Sequence, residues 1–188
     1  MSFERKVQNL CIPNKNTAID KSLTLWKGRL SKRQYLPLKA LKFGIKTFEL
    51  CESMWCFLVY TGKSTVLQSS LITPDTPKTA AIVLELLEPL FGRGHTLWLD
   101  NFFNSPELAR KLNIEHSTDS VGTLKLNTKD VPKEAKDKKL EKQEITARHS
   151  GSVTVLKWRD KRNVTMASTY HSADAQRVSN KGKQSPCA

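Results

Sequence analysis

Residues 94 to 112, GHTLWLDNFFNSPELARKL, constrain the fold more than any other stretch, because they set a strand, an acidic residue and a helix start in close order. Thr96 to Leu99 form a short apolar run with a β-branched residue and an aromatic, the pattern of a strand buried on both faces. The strand stops at Asp100. Ser105 then offers an N-cap oxygen, Pro106 suits a first helical turn, Glu107 complements the helix dipole, and Leu108, Ala109 and Leu112 recur at helical spacing. This predicts a helix from about Pro106 to Leu112. A carboxylate at the carboxyl end of a buried strand that leads into a helix is where open α/β sheets hold ligands and metal ions. Asp100 reads equally well as the cap of the Asn-Phe-Phe turn that follows it.

A chain of 188 residues is long enough for one domain with a proper core, or one domain plus a sub-domain. The net charge of +13 is unevenly spread. Residues 1 to 46 hold 11 Lys and Arg against 2 acids, and residues 147 to 188 hold 8 against 2. The stretch from 47 to 100 is mildly acidic, with 3 basic residues against 6 acids. Two basic arms around an acidic middle suit a periphery that meets a polyanion and a centre that keeps carboxylates for a metal or for the fold. Cys11, Cys51, Cys56 and Cys187 have no C-x-x-C spacing and the four histidines are scattered, so neither a zinc module nor a disulfide framework is indicated and the expected compartment is reducing. No charged-then-apolar leader opens the chain, and no apolar run approaches the ~20 residues that cross a bilayer. The expectation is a soluble, intracellular protein with no membrane partner.

Along the chain, residues 1 to 42 show little periodicity and read as a basic arm or a plain solvated loop, with Arg29, Lys32 and Arg33 among its charges. Ile45 to Cys51 alternate loosely and Trp55 to Tyr60 are aromatic and β-branched, which predicts two strands joined by a tight turn, the first ending near Glu52. The string Gly62-Lys63-Ser64-Thr65 copies the end of a phosphate-binding P-loop, but Phe57 stands where that motif needs its first glycine, so a turn is expected. Thr76-Pro77 opens a helix whose Ile82, Val83, Leu86, Leu87 and Leu90 make one apolar face. Ser120 to Leu126 alternate again, and residues 129 to 144 mix charges of both signs as in an exposed connection or solvated helix. Residues 151 to 168 hold two β-rich runs joined by Arg159, Asp160, Lys161 and Arg162, a hairpin with a basic tip. Residues 172 to 188 are polar and small, and disorder is expected there.

The strings IDKSLTLWKGRLSKRQYLPLKALKFGIKTFELCES, YTGKS, LWLDNFFNSPELARKL, GTLKLN and LKWRDKRNVTMASTYHS resemble, in this order, the central domain of piggyBac transposases and the host proteins derived from them. The resemblance covers roughly residues 10 to 180. It implies an α/β RNase H-like fold of the DDE/DDD transposase type, a mixed sheet with a small β-rich insertion and incomplete at its C-terminus. In residue ranges, it implies a basic arm over 1 to 42, a partial catalytic domain over 43 to 118, the insertion over 119 to 171 and a tail over 172 to 188. Three acids would hold divalent cations for DNA strand cleavage and joining at TTAA. Asp100, in WLDNFFNS, resembles the family's second acid, and Glu52, in LCES, falls where its first Asp would stand. The third acid lies in a Gly-Val-Asp motif that does not follow Arg177. The resemblance also implies a nuclear location, DNA as partner and a homodimer.

In-line displacement at phosphorus needs two cations about 3.5 to 4 Å apart, and Mg²⁺ or Mn²⁺ takes only one or two carboxylates from the protein, so each acid counts. The extra methylene of Glu52 moves its oxygens outward by about 1.5 Å. A misplacement on the order of 1 Å costs ~10²-fold in rate. The expectation is a catalytically inactive, transposase-derived protein with residual DNA binding through Arg29, Lys32, Arg33, Arg159, Lys161 and Arg162. The alternatives are an active metal-dependent transposase and a decayed reading frame without a selected role.

Overall fold

The computed structural model describes residues 13–37, 42–51 and 55–171. Strand β1 (Asn16–Leu25) lies inside the sheet and is bonded along both edges. Within the stretch read from the sequence as a basic arm, residues 1 to 42, twelve described residues are strand. The strand is poorly marked in sequence for a physical reason. Its inward positions run Thr17, Ile19, Lys21 and Leu23, so two polar residues interrupt the apolar alternation that announces a half-buried strand.

Strand β2 is the dipeptide Gln34–Tyr35, followed by β3 (Phe43–Cys51) and β4 (Cys56–Tyr60). β1 and β3 run antiparallel from Ala18 opposite Cys51 to Leu25 opposite Gly44. β2 and β4 share the outer edge of β3, end to end. A Cβ on Gly44 would lie 2.2 Å from the Thr24 carbonyl oxygen, so only glycine lets the two backbones meet there. The β3 to β4 hairpin has the antiparallel sense the sequence predicts, while Glu52 in its turn lies outside the described residues. The Gly62-Lys63-Ser64 string is a single 3₁₀ turn that begins with Gly62 at φ +91°, as expected of a turn and not of a phosphate cradle.

Helix α1 (Lys78–Leu87) opens after Thr76-Pro77 and buries Ile82, Val83, Leu84, Leu86 and Leu87. Pro89 turns its end into a short 3₁₀ segment, Glu88–Leu90. Strand β5 (Thr96–Leu99), helix α2 (Pro106–His116) and strand β6 (Asp119–Thr123) follow. The Ser105 hydroxyl accepts the Leu108 N–H at 3.1 Å, which is the predicted cap. The helix runs one turn past Leu112, over Asn113 to His116, whose one apolar residue, Ile114, is exposed and off the buried face. β5 lies parallel to β1 on one side and to β6 on the other. Phe48, Leu50, Trp55, Leu97, Leu99, Phe103, Leu108 and Leu112 close the main core against α1.

Helix α3 (Lys133–Asp137) is short, and β7 (Ile145–Ser150), β8 (Val153–Arg159) and β9 (Asn163–Ser168) form an antiparallel meander. β9 pairs with β6, so residues 119 to 171 continue one nine-stranded sheet and do not stand apart from it. The β8 to β9 hairpin has the predicted basic turn, whereas β7, with the mostly polar sequence ITARHS, falls between the stretches 129 to 144 and 151 to 168 that the sequence marks. The connection over 129 to 144 is not wholly solvated: Val131, Ala135 and Leu140 are buried. The tail over 172 to 188 lies outside the described residues. No helix among the described residues is long and apolar enough to cross a membrane.

Lys157 fastens that connection to the sheet. Its side chain is buried on β8 and its ammonium donates to the carbonyls of Ala135 at 2.8 Å, Lys136 at 3.2 Å and Lys138 at 2.7 Å. A cation on the last carbonyls of a short helix satisfies groups that have no intrahelical partner. Lys157→Met keeps the length of the stem and removes the donors, so it should lower stability by about 2 kcal/mol. A urea midpoint unchanged from wild type would show that the connection is held by its apolar residues alone.

Candidate functional site

The carboxyl ends of β1, β5 and β6 lie at one end of the sheet because the three strands run parallel. The β8 to β9 turn reaches the same end, since β9 descends antiparallel to β6 with Met166 opposite Thr123. The topology therefore gathers the turn after β5, the loop after β1 and the basic hairpin tip along one rim. Open α/β sheets place their ligands at such an end.

Asp100 is the first residue beyond β5. Its Oδ1 accepts the Phe102 N–H at 3.0 Å and its carbonyl accepts the N–H groups of Phe103 at 3.3 Å and Asn104 at 3.1 Å, so the carboxylate caps the turn as one reading of the sequence holds. Its second oxygen is also engaged. The Lys21 ammonium, projecting from β1, donates to Oδ2 at 2.6 Å, and both side chains are about one third exposed, at 28% and 36%. Gly122 of β6 stands beside this turn, where a Cβ would lie 2.0 Å from the Leu99 carbonyl oxygen, so β6 can approach the end of β5 only with glycine there.

Three lysines surround the Phe102 ring. Lys21 Nζ lies 4.6 Å from its centroid, Lys46 Nζ 5.3 Å and Lys125 Nζ 5.9 Å. Lys46 also sits 4.7 Å from the rings of Phe48 and Tyr60. The negative faces of the rings hold these cations close to one another in a partly desolvated place. Burial pushes the Lys46 ammonium below its ordinary pKa, and the charge of Lys21 adds to the push. Lys21, Leu23, Leu36, Pro37, Lys46 and Phe102 line a cavity of about 260 Å³ beside Asp100.

Asp20 is a second carboxylate at this level that the sequence analysis passed over. Ile19 is in register with Leu99, so the next residues, Asp20 within β1 and Asp100 just past the end of β5, stand level on neighbouring strands. Its signal was the alternating run from Asn16 to Leu25, which was hidden in the expected arm. Glu52 lies outside the described residues. The residue before it, Cys51, pairs with Ala18 on the far side of β1 from β5. Among the described residues no group of three or more His, Cys, Asp or Glu side chains could hold a metal ion. With one Asp100 oxygen capping a turn and the other on an ammonium, the described side chains do not fit a pair of divalent cations.

Arg29, Lys32 and Arg33 are exposed in the loop after β1, and the Arg33 guanidinium lies 4.9 Å from the Phe43 ring centroid. Lys161 and Arg162 are exposed at the hairpin tip. Arg159 is less free than its position suggests, because its Nη1 donates to the Leu140 carbonyl at 2.5 Å.

A family model described as Transposase IS4 matches residues 1–186, and the chain belongs to that family. It is similar to the piggyBac transposase of a cryo-EM synaptic complex with hairpin DNA, at 27% identity and a TM-score of 0.78 over 88% of this chain and 35% of that one. The chain thus spans about a third of the length of that relative. The piggyBac resemblance and the mixed α/β, RNase H-like transposase fold expected from the sequence both stand.

The lowered pKa of Lys46 fixes the sign of one pH effect. Below the lowered value the folded and unfolded states both hold the proton, and between it and the ordinary lysine value of 10.5 the unfolded state binds more, so this group adds stability as pH rises through that window. Lys46→Met should therefore show a smaller rise in urea midpoint than wild type does as pH is raised from neutral toward 10.5. Parallel pH profiles for the two proteins would place the slope on other groups.

Proposed function

We propose that this chain is a DNA-binding member of the transposase family whose acid site works as a cationic contact and not as a metal-dependent strand-transfer centre. The observation that carries the reading is the Lys21 ammonium 2.6 Å from Asp100 Oδ2. A carboxylate that must bridge or ligate a cation needs a free oxygen, and a divalent ion entering here would have to displace one ammonium while standing next to a second, Lys46. The pair of acids in this reading is Asp20 with Asp100, because the register sets them side by side; Glu52 has no part in it. A DNA phosphate is the better occupant of a rim that carries Lys21, Lys46, Lys125, Arg29, Lys32, Lys161 and Arg162. DNA is the ligand in the solved complex of the relative, and a nuclear location belongs to the same reading.

Binding should fall steeply with salt and ignore chelators. If about six phosphates are contacted, affinity for a duplex should drop by about 10³-fold between 50 and 200 mM salt. Lys161→Ala with Arg162→Ala should reduce the slope by up to ~2 units, and adding Arg159→Ala should reduce it little further because that guanidinium is held by Leu140. A flat salt response would sink the electrostatic reading.

The catalytic half is tested with Mn²⁺ and an oligonucleotide bearing a TTAA junction, the target implied by the resemblance. No cleaved product is expected. Metal-dependent product that vanishes in Asp100→Ala would return the chain to the active transposases. If Lys21 is what keeps cations off, Lys21→Gln should raise Mn²⁺ binding, read by paramagnetic broadening of resonances near Asp100, while Asp100→Ala in the same background abolishes it.

A further inference from the structure

The rim beyond the acid site has a feature that duplex binding does not use. Between Lys21 and Phe48 the chain carries eight lysines and arginines and no acidic residue. Interleaved with them are large side chains left open to solvent: Trp26 at 45%, Tyr35 at 56% and Phe43 at 43%. Nothing about a folded core asks for three exposed aromatics within eighteen residues, since a soluble surface favours polar side chains at such places.

Their arrangement is built. Tyr35 and Phe43 face each other across the β2 to β3 pairing with ring centroids 4.7 Å apart and planes tilted by 35°, and the Arg33 guanidinium sits 4.9 Å from the Phe43 centroid. Trp26 lies back on Gly28, where a Cβ would come within 2.9 Å of Trp26 Nε1 and 3.3 Å of Cε2. The glycine lets the indole rest against the chain while 45% of the residue stays open. From this platform the surface leads through Leu36 and Pro37 into the cavity walled by Lys21, Lys46 and Phe102, beside Asp100.

We propose that the β1–β2–β3 end of the sheet takes an unpaired DNA strand, with bases stacked on Trp26 and on the Tyr35 and Phe43 pair, phosphates met by Lys27, Arg29, Lys32 and Arg33, and the strand led toward Lys21 and Lys46. The inference rests on the DNA-binding reading and narrows it to a strand form. The bases of a duplex are covered by their own stacking and cannot use exposed ring faces, whereas an unpaired strand gains from each ring, and a cationic track follows its backbone. From Trp26 to Phe43 the sequence holds no Asp or Glu to repel the phosphates, and where the track reaches Asp100 the Lys21 ammonium stands on that carboxylate.

The test compares 20-nucleotide oligomers of one sequence as single-stranded DNA, duplex DNA and single-stranded RNA, by fluorescence anisotropy at fixed salt. Single-stranded DNA should bind about tenfold more tightly than duplex. Tyr35→Ala and Trp26→Ala should each weaken single-strand binding by about tenfold and leave duplex binding within about twofold. Tyr35→Phe should keep the single-strand affinity, which a loss by misfolding would not. Tryptophan emission should be quenched by the single strand, and the quench should shrink in Trp26→Phe while Trp55, Trp98 and Trp158 remain.

Duplex bound as tightly as single strand, with both aromatic variants indifferent, would overturn this inference and leave DNA binding intact. Loss of all binding in the wild-type chain would overturn both. RNA preferred over DNA of the same sequence would overturn the assignment of the strand.

Discussion

Every part of the site depends on β1 being paired on both edges. On one side it runs antiparallel to β3, and on the other it runs parallel to β5, so it is the seam between the hairpin half of the sheet and the parallel half. A one-residue slip on either edge would turn Ile19 outward and Asp20 inward, because side chains alternate along a strand. The register is therefore fixed by the same apolar contacts that set Asp20 level with Asp100. Lys21, on the inward side with Ile19, then has no deep place to go. It reaches along the sheet to the rim, where it finds the one carboxylate at the end of β5.

The pair formed there is modest as a source of stability. Both partners are about one third exposed, and an ion pair of this kind contributes on the order of 0 to 1 kcal/mol. Its weight lies in what it does to the charge of the site. A lone Asp100 beside Asp20 would give the rim a negative centre suited to a cation. With Lys21 folded onto it and Lys46 held against Phe48, Tyr60 and Phe102, the local balance is positive, and the aromatic rings keep the two ammonium groups closer than they would stand in water. Burial, with the nearby charge of Lys21, then lowers the Lys46 pKa.

The parts of the fold that were legible in sequence are those whose local chemistry and tertiary role agree. The β5 to α2 unit is the clearest case, since Ser105, Pro106 and the apolar run before Asp100 each specify a boundary that the fold keeps. β1 and β7 were not legible, and for one reason. Each owes its place to backbone pairing with neighbours far away in sequence, while its own side chains are half polar: Lys21 serves the site, and β7 is mostly exposed with only Thr146 buried. Asp100 could be found because a strand end and a helix cap bracket it. Asp20 could not, because its meaning depends on the register between β1 and β5, which no local window contains.

The same distinction explains where the charge went. The two basic segments at the ends of the sequence, residues 1 to 46 and 147 to 188, look like separate arms far apart in the chain. Parallel pairing of β1, β5 and β6, followed by the return of β9 alongside β6, brings the loop after β1 and the β8 to β9 tip to one rim. Two acidic residues of the middle of the chain are taken up by local donors: Glu85 accepts the N–H groups of Gln68 and Ser69 at 2.7 Å each, and Glu49 takes the Thr47 hydroxyl at 2.6 Å and that of Ser22. Asp100, the carboxylate just past the end of β5, is held by Lys21, so the cations of the two segments set the sign of the field at this rim.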